Sequence, residues 1–391
     1  MATPHNRTCR MTILWIYNMP LIPEAGGTER ITSLVVKGLS ERGYKCLGIL
    51  EFKEGAKDMI YEGEKVEDLY SFLKDNHVDV VINQIAYATW LLRDFLDRGG
   101  RRWHSEGGRI ISCLHFDPCN PSYKQLLKSQ EKISLRVRLD IVKHTIFSSY
   151  YRRLKEQREG KVYNEIYDNS DVFLILSKCH KPYMQKVMRR KDYDKITAIN
   201  NPLTFPCIAT DRDLDKKNKT VLVCARMSEY HKRISLILKT WKRLGEQGIT
   251  KGWTLKFVGE GPDLERYKKY VKDNGIENAI FYGQQSPLPF YEEASVLLLT
   301  SSAEGWGLVL TEALQNGAVP VVMNSSPVYS DIIDNSYNGY LTPDGNIKVF
   351  ARHLKSLLTD SRRMNVMQHN ALVSAHKFTI DKTIDQWEAI L

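Results

Sequence analysis

Residues 294–317 constrain this chain more than any other stretch. Ala294-Ser-Val-Leu-Leu-Leu-Thr is an apolar run too short for a helix and reads as a buried strand. Glu304-Gly-Trp-Gly follows it. Residues 308–316 then have helical composition, and Gly317 is placed to end that helix. A strand, a glycine-rich turn and a helix make one unit of an open α/β sheet, whose ligands bind at the carboxyl ends of the strands. The free N–H groups at Leu308 and the helix dipole favour an anion there, typically phosphate. Gly305 and Gly307 let the backbone come close to that anion. Glu304 stands in the loop and Glu312 just over one turn into the helix, two acceptors suited to sugar and ribose hydroxyls. The plainer reading is a solvated helix face with Glu312 in an ion pair.

The strand–helix alternation runs the length of the chain. Strands are expected at 12–17, 46–51, 78–83, 109–114 and 172–176, and again at 220–224, 254–258, 279–282, 296–300 and 319–323. Helical stretches lie between them, which predicts an α/β fold with parallel sheets and right-handed crossovers. At 391 residues the chain has room for two domains. The polar stretch 211–219 places their boundary within 202–219. The expected domains are 1–202 and 203–375, with an amphipathic tail helix at 376–391.

Composition narrows the setting. Charged residues make up 26% and hydrophobic ones 42%, as in soluble globular proteins, and no apolar stretch reaches membrane-spanning length. The polar start, Met1 to Arg10, predicts no signal peptide. Seven scattered cysteines without zinc spacing fit reduced thiols in a cytoplasm. A net charge of +10 fits nucleic acid, an anionic membrane surface or an anionic small substrate.

Other segments carry chemistry beside a bland reading. Arg226 leaves the strand 220–224 and Lys232 follows six residues later, two cations placed to neutralise a diphosphate. Arg233 suits an ordinary surface cation. Val258-Gly-Glu-Gly-Pro-Asp puts Gly259 and Gly261 in a turn that is either a nucleotide contact or simply tight. Gly26 and Gly27 open a helix after the first strand, with Thr28 or Glu29 in its first turn. His115 follows the strand 109–114; Asp117 reads as an N-cap. Residues 124–161 carry eleven Lys or Arg against four Asp or Glu, interleaved with apolar residues. That is a membrane-surface or acceptor-phosphate patch, or equally a packed helix with a solvated basic face. Nucleic-acid binding lacks any accompanying motif.

The run from Glu304 to Glu312 resembles the Glu-x7-Glu signature of retaining glycosyltransferases of family 4, which have the GT-B fold. Glu312-Ala-Leu-Gln-Asn-Gly-Ala-Val-Pro-Val-Val and Asn338-Gly-Tyr-Leu match as well. The resemblance covers essentially the whole chain. It implies two Rossmann-like domains facing across a cleft, acceptor on the first, nucleotide-sugar on the second, and a tail helix crossing back to the first. Arg226 and Lys232 match the family's Gly-Arg-Leu…Lys motif, with Ala225 in place of its glycine. Gly259 and Gly261 match its Gly-x-Gly-Pro turn, Gly283 and Gln284 its base-contacting stretch, and Gly27 its Gly-Gly-x-Glu-Arg loop.

Residue by residue, the resemblance implies His115 near the reacting centre and Glu304 on the donor sugar. Glu312 would take the ribose, and Arg226, Lys232 and the helix start at Gly305, Gly307 and Leu308 the leaving diphosphate. The reaction would move a hexose-type sugar from a nucleoside diphosphate, UDP ranking before GDP, to a hydroxyl of a glycan or lipid-linked saccharide, as in surface polysaccharide synthesis. It would need no cofactor and no metal. The expected setting is the cytoplasm, with 124–161 as a peripheral contact to the inner face of the membrane. Rival readings are a GT-B sugar-nucleotide epimerase and a catalytically silent glycan- or lipid-binding module.

Overall fold

The computed structural model describes residues 10–23, 26–55, 58–118 and 147–391. The chain divides into two compact units. One gathers Met1–Pro118, Arg153–Thr204 and Thr379–Leu391, and the other is built on Phe205–Phe378.

The first unit holds β1 (Thr12–Tyr17), β2 (Lys45–Phe52), β3 (Met59–Tyr61), β4 (Glu64–Val66), β5 (Val80–Asn83), β6 (Arg109–Leu114), β7 (Val172–Ile175) and β8 (Ile196–Ala198). Their order in the sheet is β4-β3-β2-β1-β5-β6-β7-β8. Every residue of β1, β5 and β7 is buried, because helices cover both faces of a parallel sheet and leave no polar alternation. Register aligns Ile13 with Val80, Ile82 with Ile111 and Cys113 with Leu174. Sequence reading missed β3, β4 and β8. Each has three residues, too few for a periodic signal, and β3 and β4 extend the edge antiparallel.

The terminal helix Ile380–Glu388 belongs to this unit and buries Thr383, Ile384 and Trp387. It packs on the helix Gly27–Glu41, where a Cβ on Gly38 would come within 2.6 Å of the Ile384 side chain. Arg42 secures the contact, reaching Glu388 and Asp385 at 2.8 Å each.

The second unit holds β9 (Thr220–Cys224), β10 (Thr254–Val258), β11 (Ala279–Phe281), β12 (Val296–Leu299), β13 (Val319–Asn324) and β14 (Tyr340–Pro343), all parallel. Their order is β11-β10-β9-β12-β13-β14. The helix Ile234–Gly245 places Ile234, Ile237, Leu238, Trp241 and Leu244 on its buried side, the three-and-four spacing of an amphipathic helix. Full burial of each such side chain contributes about 1.5–3 kcal/mol.

Of the basic segment 124–161, residues 124–146 lie outside the described residues. The remainder enters the helix Ser148–Asp168. No helix among the described residues is long and apolar enough to cross a membrane.

Candidate active site

The second sheet reverses its winding between β9 and β12. From β9 the chain proceeds outward to β10 and β11, then returns to β12 and proceeds the other way. The loops leaving the carboxyl ends of β9 and β12 diverge there, opening the crevice in which doubly wound sheets bind ligands. Arg226 and Lys232 follow β9, and Glu304 follows β12.

Lys232 Nζ donates to Glu304 Oε1 in an ion pair, with the two side chains 24% and 18% exposed. Backbone contacts fix its geometry. The Ser302 N–H donates to the His231 carbonyl at 2.7 Å, and Thr300 Oγ1 donates to the Lys232 carbonyl at 2.7 Å. Arg226 is exposed at the mouth. His231, which sequence reading passed over, stands among these charges. Burial lowers its pKa, Lys232 and Arg226 lower it further, and Glu304 opposes them.

Arg233 is a correction. Its composition suggested an ordinary surface cation, yet it is 8% exposed. Its guanidinium donates to the carbonyls of Thr300 at 2.6 Å and Ser301 at 2.8 Å, and to Asp344 at 2.6 Å. Its backbone is left-handed, with φ 49°, at the junction of the helices Glu229–Lys232 and Ile234–Gly245. It therefore clamps the end of β12 to the loop carrying Lys232. Only the tertiary fold brings those carbonyls within reach.

Past Glu304, Gly307 has φ 90°, a left-handed conformation that favours glycine, and it caps the helix Leu308–Gln315 without a side-chain hydrogen bond. The Leu310 N–H already donates to the Gly307 carbonyl at 2.8 Å, so the N–H groups of Leu308 and Val309 and the positive end of the dipole are what the turn offers an anion. Trp306 beside them is buried against Phe378, ring centroids 5.6 Å apart. Glu312 is 2% exposed and lies next to the Tyr291 hydroxyl. Burial first, then Cys224 and Glu312 beside it, push the Tyr291 phenol pKa well up. Tyr291 carried no sequence signal, since a lone tyrosine in a short helix resembles any core residue.

The turn after β10 has a steric reason for its glycines. A Cβ on Gly259 would meet the Ala225 carbonyl at 2.2 Å, and one on Gly261 the Met227 carbonyl at 2.5 Å. The Met227 N–H donates to the Glu260 carbonyl at 2.8 Å, so this turn braces the loop bearing Arg226. Gly259 in turn donates its N–H to the Gly283 carbonyl at 2.7 Å. The Glu260 carboxylate accepts from the Gln284 N–H at 3.4 Å, tying down the loop that follows β11.

The other sequence-derived residues sit on the first unit. Gly26 is the extended N-cap and Gly27 the first residue of the helix Gly27–Glu41, whose Glu29 accepts from Tyr17 Oη at 3.0 Å. His115, just past β6, bonds Gln84 Oε1 through Nε2 at 2.6 Å. An amide oxygen only accepts, which assigns the histidine proton to Nε2. Burial lowers the His115 pKa to about 4, so the ring is neutral at pH 7. Asp117, read as an N-cap, faces the buried His180 at 3.7 Å, and the segment it would cap lies outside the described residues.

Comparison with known proteins gives this geometry a context. Residues 208–373 match the family model "Glycosyl transferases group 1". An uncharacterized glycosyltransferase of Haemophilus influenzae is 24% identical over 374 residues, 95% of this chain and 97% of that protein. Among solved structures, the apo lipopolysaccharide outer core galactosyltransferase WaaB aligns with TM-score 0.64 and 20% identity, covering 97% of this chain and 98% of that one. Anabaena HepE in complex with UDP and glucose aligns with TM-score 0.64 and 15% identity, covering 97% and 99%. Some other relatives are longer, and this chain spans 36% to 63% of them. The chain thus has the fold of the GT-B glycosyltransferases, and its residues 208–373, which carry Arg226, Lys232, Glu304 and Glu312, match the group 1 glycosyl transferase family.

Proposed function

We propose that this protein is a retaining, metal-independent glycosyltransferase. It moves a hexose-type sugar from a nucleoside diphosphate, UDP before GDP, to a hydroxyl of a glycan or lipid-linked saccharide. The observation that carries this reading is the meeting of Lys232 and Glu304 at the β9–β12 switch point, beside an uncapped helix N-terminus. Arg226, Lys232 and that terminus stabilise charge on the departing diphosphate, the largest electrostatic demand of the reaction. Glu304 takes donor sugar hydroxyls, and Glu312 the ribose. His115 supplies a neutral imidazole on the acceptor-binding unit. The UDP and glucose held by Anabaena HepE, and the lipopolysaccharide acted on by WaaB, support the donor and acceptor classes.

The protein works in the cytoplasm and reaches its acceptor at an anionic membrane surface. On the helix Ser148–Asp168, Glu156 is engaged by Lys186 at 2.6 Å and Glu159 by Tyr183 at 2.5 Å, while Arg152, Arg153 and Arg158 remain exposed. Tyr150 and Leu154 are exposed beside them. A basic face with apolar members suits peripheral, salt-sensitive adsorption, each cation contributing about 1 kcal/mol near the surface.

A thermal-shift panel of UDP-, GDP-, ADP- and TDP-sugars tests the donor class. A ligand at 100 times its dissociation constant stabilises the fold by about 2.7 kcal/mol. If no nucleotide sugar raises the midpoint, the donor reading is wrong.

A further inference from the structure

The first sheet has its own switch point. Its winding reverses between β1 and β5, so the loops that leave β1, β5 and β6 lie side by side at the carboxyl edge. Those three loops expose Met19, Ile22, Tyr87 and Phe116, the last two 43% and 53% accessible. Tyr87 and Phe116 pack edge to face, with ring centroids 4.6 Å apart and planes at 80°. An aromatic pair left in water at a sheet's ligand-binding edge is a surface awaiting a partner.

The polar groups on the same three loops narrow the partner's chemistry. His115 spends its Nε2 proton on Gln84, which leaves Nδ1 as an acceptor next to Phe116. The Tyr87 hydroxyl has no hydrogen-bond partner among the described residues, although burial already raises its pKa. Asn18 Oδ1, at the end of β1, is buried without a donor. An apolar ring face bearing a hydroxyl, with an imidazole acceptor on the adjoining residue, complements a molecule with a C–H face and hydroxyls on its rim. A pyranose ring is built that way. An acyl chain would leave the nitrogen and the hydroxyl unused.

We propose that Tyr87 and Phe116 form a stacking platform for a pyranose ring of the acceptor, with His115 Nδ1 and the Tyr87 hydroxyl reading its hydroxyl groups. The identity of that ring as acceptor rests on the glycosyltransferase reading above. The platform itself rests on the first unit alone.

Saturation-transfer difference NMR on the full chain tests it. The probes are methyl α-D-glucopyranoside, methyl β-D-galactopyranoside and methyl N-acetyl-β-D-glucosaminide. At least one should show enhanced ring C–H signals with the wild type. Tyr87→Ala and Phe116→Ala should weaken that binding roughly tenfold, while Phe116→Tyr retains it. Thermal unfolding of each variant verifies the fold, and UDP thermal shifts in the same samples follow the donor site separately. Sugar signals that stand while UDP gives no shift would uphold the platform and remove the donor reading. Three outcomes overturn the platform: no enhancement for any of the three sugars, undiminished enhancement in both alanine variants, or variants that keep sugar binding but lose sedimentation with anionic vesicles. The last would make the pair a membrane-facing lip.

Discussion

Lys232 and Glu304, 72 residues apart in sequence, are joined side chain to side chain where β9 and β12 end. In the proposed reading, the cation assigned to a diphosphate and the carboxylate assigned to a sugar neutralise each other. Each holds the other in place, and a donor that engages both would exchange this contact for its own.

Removing the cations should cripple transfer and spare the fold. Lys232→Ala and Arg226→Ala are each expected to lower kcat about a hundredfold, the scale of one lost charge-stabilising group. Steady-state kinetics with a nucleotide sugar measures the loss, and circular dichroism verifies the fold. Near-normal turnover in the double variant would refute the donor site.

The two glutamates should differ kinetically. Glu304→Gln is expected to lower kcat, since its proposed role puts it against the group in transfer. Glu312→Gln, remote from the bond that breaks and buried beside Tyr291, should mainly raise the donor KM. Unchanged constants in both variants would return the pair to ordinary helix chemistry.

Arg233→Ala should unfold more readily than either cation variant. It strands two buried carbonyls and takes the cation away from the exposed Asp344, at a cost of about 2 kcal/mol by urea denaturation. A variant as stable as wild type would show that the clamp is dispensable.

Acid should weaken the fold through His115. Its folded pKa of about 4 lies below the unfolded value near 6.5, so between those values the unfolded chain binds the extra proton. Stability is therefore full above pH 6.5 and falls as pH drops toward 4. His115→Gln should flatten that slope in urea melts at pH 4.5 and 7.5, by up to about 3 kcal/mol. An identical slope in the variant would locate the acid sensitivity elsewhere.

Catalysis should survive EDTA if, as proposed, Arg226, Lys232 and the helix start supply the charge that a divalent ion supplies elsewhere. Activity lost in EDTA and restored by Mn²⁺ would show a ligand set beyond these residues.

The alternating apolar runs determined the α/β class, because strands buried on both faces must be continuously hydrophobic and helices between them must be striped. The glycine-rich turn at Glu304 was legible for a related reason: strand, turn and helix are contiguous, so the chain itself places the carboxylate at a strand end. Everything that depends on contacts distant in sequence needed the fold. Arg233 looks like its neighbour Lys232 until β12 brings two carbonyls to it. Gly259 and Gly261 look like any tight turn until the Ala225 and Met227 carbonyls approach them. Tyr291 next to Glu312, and Tyr87 on Phe116, are pairs that no spacing rule encodes. β3, β4, β8 and the edge strand β14 were invisible because pairing, rather than pattern, makes them strands. A sequence carries local propensity and periodicity directly; which buried polar groups meet is decided only when the sheets bring them together.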